Sequence, residues 1–172
     1  MRKIILTGYM GSGKSTIARL LSERMEMKWL DLDEIIEKKS GLSIVELFKQ
    51  KGEIHFRKLE HDFFKTLMTS NESFILSLGG GTPCYANNHE LLNGEGIVSI
   101  YLKASIDTLY NRILNNENER PLVVGKPKEE MREFIAKHLF DRSFYYNQST
   151  FKVDTNNKIP EQVIPEIENM LA

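Results

Sequence analysis

The chain has 172 residues, 41% of them hydrophobic and 27% charged, with a formal net charge of −1. That length suits one packed domain with a sizeable core, and the near-neutral charge excludes a global basic field for nucleic acid or anionic membrane. A lone cysteine, Cys84, excludes an internal disulfide. No apolar run approaches the ~20 residues of a membrane-spanning helix, and the N-terminal stretch lacks a signal-peptide pattern, so a cytoplasmic protein is expected.

In chain order, strands are expected at Lys3–Thr7, Lys28–Leu32, Ser73–Leu78, Ile97–Leu102 and Phe151–Asp154. Helical periodicity fills the gaps at Lys14–Met25, Leu42–Lys51, Ile54–Thr69, Asn87–Leu92, Ile106–Asn115, Lys128–Tyr146 and Pro160–Leu171. Ser43 and Glu46 have capping-box spacing, and Pro160 suits a first helical position. Strands alternating with helices imply an α/β fold, a parallel sheet with helices on both faces. The apolar, weakly alternating runs "IIL" and "IVSIYL" fit strands covered on both sides. Residues 115–127, within "NNENERPLVVGKPKEE", are polar and broken by prolines. They read either as a solvated loop or as a mobile lid over a site.

The strongest signal is "GYMGSGKS" at 8–15, a match to G-x-x-x-x-G-K-[ST] between a strand and a helix. Gly8, Gly11 and Gly13 permit a tight loop whose N–H groups, with those of Ser12 and Thr16, can face phosphate oxygens. Lys14 supplies a charge toward the β- and γ-phosphates, and the Ser15 hydroxyl can coordinate Mg²⁺. The expected ligand is a nucleoside triphosphate. A guanine-type N-K-x-D motif is absent, and the strand "FILSL" ends in glycine rather than Asp. Both facts favour a small-molecule kinase over a GTPase switch or a motor ATPase.

"WLDLDEIIE" puts Asp31 and Asp33 two residues apart at a strand end, where both would face one side. One could help hold the metal and the other accept a proton from an attacking hydroxyl. A plainer reading makes Asp33 a helix N-cap. In "EIHFRKLEHDFF", Arg57, Glu60 and Glu53 share a helix face, either as a surface ion-pair stripe or as a fork for a substrate carboxylate. Arg142 in "LFDRSFYY" is a second candidate fork. Gly79, Gly80 and Gly81 end the third strand, where open parallel sheets bind ligands. They read as a bare backbone floor that offers N–H groups to an acceptor.

Taken together, "GYMGSGKST", "DLD", "GEIHFRKLE", "LGGGTP", "ERPL" and the Arg of "DRSFYY" resemble the shikimate kinase family along nearly the whole chain. The resemblance implies a three-layer P-loop fold with a five-stranded parallel sheet in the nucleoside-monophosphate-kinase style, plus a mobile lid at about 115–127. It implies a single domain, 1–172, with an acceptor-binding region at about 33–61. The implied reaction is ATP-dependent phosphorylation of the shikimate 3-hydroxyl, in aromatic amino acid biosynthesis, by a monomer with one Mg²⁺. Neither nucleic acid nor membrane is an implied partner.

In the implied assignment, Lys14, Asp33 and Arg120 are catalytic, and Ser15 and Asp31 hold the metal. ATP contacts come from Gly8, Gly11, Ser12, Gly13, Lys14, Ser15, Thr16, Arg112, Arg120, Thr155 and Asn156. Shikimate contacts come from Asp33, Phe48, Phe56, Arg57, Gly79, Gly80, Gly81, Pro121, Leu122 and Arg142. Phe144 and Gln148 stand where the family usually has Pro and an acid, which bears on local helix geometry more than on chemistry. The alternatives are a related P-loop kinase such as gluconate kinase, or a nucleotide-binding regulatory module without catalysis.

Overall fold

The computed structural model describes residues 1–115 and 127–172. Arg120, Pro121 and Leu122, with nearly all of the expected lid, lie outside the described residues. Five strands form one parallel sheet: β1 (Lys3–Thr7), β2 (Trp29–Asp31), β3 (Phe74–Ser77), β4 (Ile97–Lys103) and β5 (Phe151–Asp154), in the order β2-β3-β1-β4-β5. Seven α-helices accompany them among the described residues: α1 (Lys14–Met25), α2 (Leu32–Ser40), α3 (Ile44–Lys51), α4 (Glu53–Thr69), α5 (Ile106–Asn115), α6 (Lys128–Tyr146) and α7 (Pro160–Leu171).

β1 is central and wholly buried. Its alternate side chains enter different cores, as the two-residue period of a strand requires. Ile4 and Leu6 join Ile17 and Leu21 of α1 and Ile164 and Ile167 of α7 on one face. Ile5 joins Ile36, Leu47 and Phe64 from α2, α3 and α4 on the other. A third cluster gathers Tyr9 and Tyr101 with α5 and α6. This two-sided coverage is why the strands carry little polar alternation. Lys3 is the charged residue within β1 and is fully buried. Its ammonium group donates to the carbonyls of Met68 and Ser70, the latter at 2.7 Å, and so satisfies the C-terminal end of α4.

Local signals place most boundaries. Ser43 accepts from the Glu46 N–H while Glu46 reaches back to the Ser43 N–H at 2.8 Å, the expected capping box. Pro160 opens α7. α6 runs unbroken through Phe144, whose ring is exposed and packs edge-on against His89 and Tyr145.

Four expectations need correction. Asp31 and Asp33 do not share a strand face, because β2 stops at Asp31 and Asp33 lies in the first turn of α2. Asp31, not Asp33, is the cap: its carboxylate accepts from the N–H of Asp33 at 3.0 Å and of Glu34 at 3.4 Å. The competition that ends the strand is a short carboxylate able to satisfy the otherwise orphaned first N–H groups of a helix. The helix expected at Leu42–Lys51 begins at Ile44, after α2 has ended at the left-handed Gly41 (φ 72°). Finally, the expected helix over Asn87–Leu92 is a 3-10 segment, Asn88–Leu92.

Candidate active site

The loops after β1 and β3 lie side by side because those two strands pair. A cavity of about 670 Å³ opens there, at the carboxyl ends of the strands. One end is built by the phosphate-loop segment. Gly8 has φ 146°, and a Cβ on it would stand 2.9 Å from the Leu102 carbonyl oxygen. Gly13 caps α1 in the left-handed region at φ 94°. Only glycine fits both demands, so the loop's tight path over β4 and into α1 depends on them.

Lys14 is buried, and its ammonium donates to the carbonyls of Gly8 at 2.8 Å and Tyr9 at 3.0 Å. Ser12 Oγ is buried with no hydrogen-bond partner among the described residues. A buried orphan hydroxyl is costly unless a ligand satisfies it, and it lies on the cavity wall. Ser15 donates to Asp31 Oδ2 at 2.9 Å and is 3.3 Å from Ser77 Oγ. Asp31 therefore divides its two oxygens between helix capping and the phosphate loop. Ser77 is a neighbour that the sequence reading missed. Its place at the last position of β3, one strand from the phosphate loop, was the available clue. Three hard oxygen groups meet here, the donor chemistry that suits Mg²⁺. No cluster of three or more His, Cys, Asp or Glu that could hold a metal exists among the described residues.

On the other side, Arg112 donates to the Thr155 carbonyl at 2.7 Å and to Thr155 Oγ1 at 3.2 Å, and stands 3.5 Å from the Ser12 carbonyl. Arg112 and Thr155 line the cavity beside Ile159 and Val163 of the α7 region. Asn156, expected at the same wall, does not line it. Its side-chain oxygen accepts from the Ser105 N–H and the Thr108 hydroxyl, both at 2.8 Å, at the start of α5.

The far end of the cavity is a ring of charges. Asp33 is half-buried, faces the cavity, and its carboxylate accepts no hydrogen bond among the described residues. Burial first, and then the neighbouring Asp31, Glu60 and Glu37 carboxylates against the opposing pull of Lys14, raise its pKa to about 7. Arg57 pairs with the fully buried Glu60 at 2.8 Å and with Glu53 at 3.5 Å. Its guanidinium lies over the rings of Tyr85, Phe56 and Phe48 at 4.1, 5.1 and 6.0 Å. Burial works against the Arg57 charge, Glu60 with Tyr85 and Glu53 together outweigh it, and the net shift is upward. Phe48 and Phe56 stack with each other at 4.7 Å and form an apolar wall. Arg142 is half-buried, its guanidinium 5.6 Å from the Tyr9 ring centre, with no carboxylate partner among the described residues.

Gly79 and Gly81 are explained by these side chains. None of the three glycines has a positive φ. The requirement at Gly79 and Gly81 is steric. A Cβ at Gly79 would stand 3.0 Å from Asp33 Oδ1 and 3.2 Å from Glu60 Oε1. At Gly80 it would be 3.4 Å from the Arg142 guanidinium and 3.4 Å from the Met10 N–H nitrogen. At Gly81 it would collide with Arg57, 2.7 and 2.8 Å from its two terminal nitrogens. The floor is bare at Gly79 and Gly81 because Asp33, Glu60 and Arg57 close over it, whereas at Gly80 a Cβ would meet only ordinary contacts. Glu60, read from the sequence only as a pairing partner, also accepts from Thr82 Oγ1 at 2.6 Å. It joins α4 to the end of the glycine run. Burial pushes the Cys84 thiol up to about 11, which leaves it protonated and inert as a nucleophile.

Among the described residues no helix is long and apolar enough to cross a membrane. A model of the family described as shikimate kinase matches residues 10–172. A shikimate kinase of Flavobacterium johnsoniae is 58% identical over 172 residues, covering 100% of both chains. The crystal structure of a shikimate kinase from Bacteroides thetaiotaomicron superposes with a TM-score of 0.91 at 29% identity, covering 99% of this chain and 98% of that one. A shikimate kinase from Acinetobacter baumannii in complex with shikimate gives 0.87 at 28% identity, covering 99% and 93%.

Proposed function

The chain belongs to the shikimate kinase family, and from that premise we propose that it transfers the γ-phosphoryl group of ATP to the 3-hydroxyl of shikimate. One observation carries the reading. A half-buried carboxylate without a hydrogen-bond partner among the described residues, Asp33, and the guanidinium groups of Arg57 and Arg142 face one cavity beside a phosphate loop. A polyol that bears a carboxylate matches that set of groups: its carboxylate suits Arg57 and Arg142, and its hydroxyls suit Asp33.

In this reading the loop N–H groups and the N-terminus of α1 hold the triphosphate. Lys14 exchanges its loop carbonyls for phosphate oxygens, and Ser12 gains an acceptor or donor partner in the same way. Arg112 and Thr155 border the nucleoside. Ser15 and Asp31, with Ser77 behind them, are the groups that would hold Mg²⁺, and the donor set fits that ion. Bound there, the ion would neutralise charge on the β- and γ-phosphates.

The acceptor hydroxyl approaches Asp33. As the new O–P bond forms and the bond from the γ-phosphorus to the bridging oxygen breaks, the hydroxyl proton passes to the Asp33 carboxylate. The electron pair of the broken bond leaves with ADP. A pKa of about 7 matches a base that must take a proton and release it near neutrality. Arg120 is assigned to the transferring phosphoryl, and Pro121 and Leu122 to covering the acceptor, on the family resemblance alone.

The test is ADP release measured in parallel with shikimate, gluconate and nucleoside monophosphates. Turnover confined to shikimate is expected. Comparable turnover with gluconate, or equal ADP release without any acceptor, would overturn the assignment.

A further inference from the structure

Two glycines in a row, Gly80 and Gly81, leave the peptide between them unusually free to flip, since neither residue has a Cβ to block rotation. Yet that peptide carries one of the groups offered to the acceptor, the Gly81 N–H. Among the described residues, no protein group accepts from it. The Thr82 N–H donates to the Gly79 carbonyl at 3.1 Å around this peptide, but such a turn closes with its central peptide in either orientation, so another group must fix the direction.

The fixing group is on the last residue of α6. The Tyr146 hydroxyl donates to the Gly80 carbonyl oxygen at 2.5 Å, across 66 positions of chain. Because a trans peptide is planar, its C=O and the following N–H point in opposite directions. Holding the Gly80 oxygen toward Tyr146 turns the Gly81 N–H the other way. Arg142 lies one turn earlier on α6. Its guanidinium stands 3.4 Å from where a Gly80 Cβ would be. Tyr146 is itself immobilised. It is fully buried, and its ring packs against Tyr101 of β4 at 5.1 Å.

We infer that Tyr146 is a positioning residue for the acceptor, its hydroxyl setting the direction of the Gly81 N–H beside the Arg142 guanidinium. The inference rests on the proposed reading, in which Arg142 and the glycine floor bind the acceptor. It assigns to one buried phenol a task that neither glycine can perform. Tyr146 touches no reacting atom.

The experiment compares Tyr146→Phe with Arg142→Ala in steady-state kinetics with shikimate and ATP. Tyr146→Phe keeps the ring and its packing on Tyr101 and removes only the donor. It is expected to raise the shikimate KM by roughly 5- to 100-fold, the range for leaving a buried carbonyl unsatisfied. The ATP KM should stay within about twofold, and thermal stability should fall modestly. A purely structural role would move Tm without this split between the two substrates. Amide NMR gives a second readout. Adding shikimate should shift the Gly81 N–H resonance in the parent protein and much less in Tyr146→Phe. If Arg142→Ala raises the shikimate KM but Tyr146→Phe leaves it within twofold, the inference is overturned while the acceptor reading stands. If Arg142→Ala also leaves it unchanged, the acceptor reading fails and takes the inference with it.

Discussion

Gly81→Ala separates the steric account of the glycine floor from a general need for flexibility. Gly81 has φ −94° and ψ −14°, which alanine adopts without strain. By itself the change should therefore stabilise slightly, about 0.4–1 kcal/mol through the unfolded chain. The added methyl, however, would stand 2.7 and 2.8 Å from the terminal nitrogens of Arg57. Ordinary contact is about 3.5 Å, so the guanidinium must retreat by roughly 0.7 Å. Three neighbours oppose this: Glu60 at 2.8 Å, Glu53 at 3.5 Å and the Tyr85 ring at 4.1 Å. The weakest response lengthens the charge-assisted bond to buried Glu60, worth about 1.5–3 kcal/mol. Breaking it outright would cost about 3–5 kcal/mol.

Arg57 is a long side chain and can move, so the fold should survive with a Tm within a few degrees of the parent. The loss should appear in acceptor binding, as a shikimate KM raised about 10- to 100-fold, because each factor of ten is about 1.4 kcal/mol. Steady-state kinetics on the folded variant, with ATP and shikimate varied in turn, reads this directly. A folded Gly81→Ala protein with unchanged shikimate KM would refute the argument, since Arg57 would then not be the group the glycine accommodates. A matching rise in the ATP KM would refute it too, by moving Gly81 to the phosphate side.

Other perturbations test other contacts. Asp33→Asn removes a carboxyl whose folded pKa, about 7, lies above its unfolded value. The folded protein thus binds the extra proton between about pH 4 and 7, and the parent loses stability as pH rises through that window. Without ligands, Asp33→Asn should match the parent near pH 4 and exceed it at pH 8 by up to ~4 kcal/mol, from three pK units at 1.36 kcal/mol each. Urea unfolding at the two pH values checks this, and a difference independent of pH would contradict it. The same variant should lose about 10²- to 10⁴-fold in kcat, the usual contribution of a positioned base. Lys3→Met should cost about 1–3 kcal/mol by orphaning the Met68 and Ser70 carbonyls at the end of α4. Both KM values should be untouched, and a kinetic defect would show that the α4 anchor reaches the site.

The sequence by itself determined whatever depends on neighbours within one turn of chain. The phosphate loop was legible because its backbone shape is dictated by Gly8, Gly11 and Gly13 over six positions, all with positive φ. The Ser43–Glu46 box was legible because both partners lie three residues apart. The β/α alternation followed from apolar runs buried on both faces. Asp31 shows the limit of this local reading: the sequence offered Asp33 as the cap, and only the folded backbone, presenting the N–H groups of Asp33 and Glu34 to Asp31, made Asp31 the cap. Asn156 shows the same limit from the other side, since its side chain is committed to the start of α5, about fifty residues away in the chain.

What tertiary structure alone decided is the reason for the glycines. Nothing within "LGGGTP" requires three of them, because their φ values are open to any residue. The requirement at Gly79 and Gly81 comes from Asp33 on α2 and Arg57 and Glu60 on α4, brought over one strand end by the sheet. Steric exclusion at a few tenths of an ångström is a property of groups distant in the chain. It is set when α2 and α4 pack on the sheet, and no pattern within the run itself encodes it.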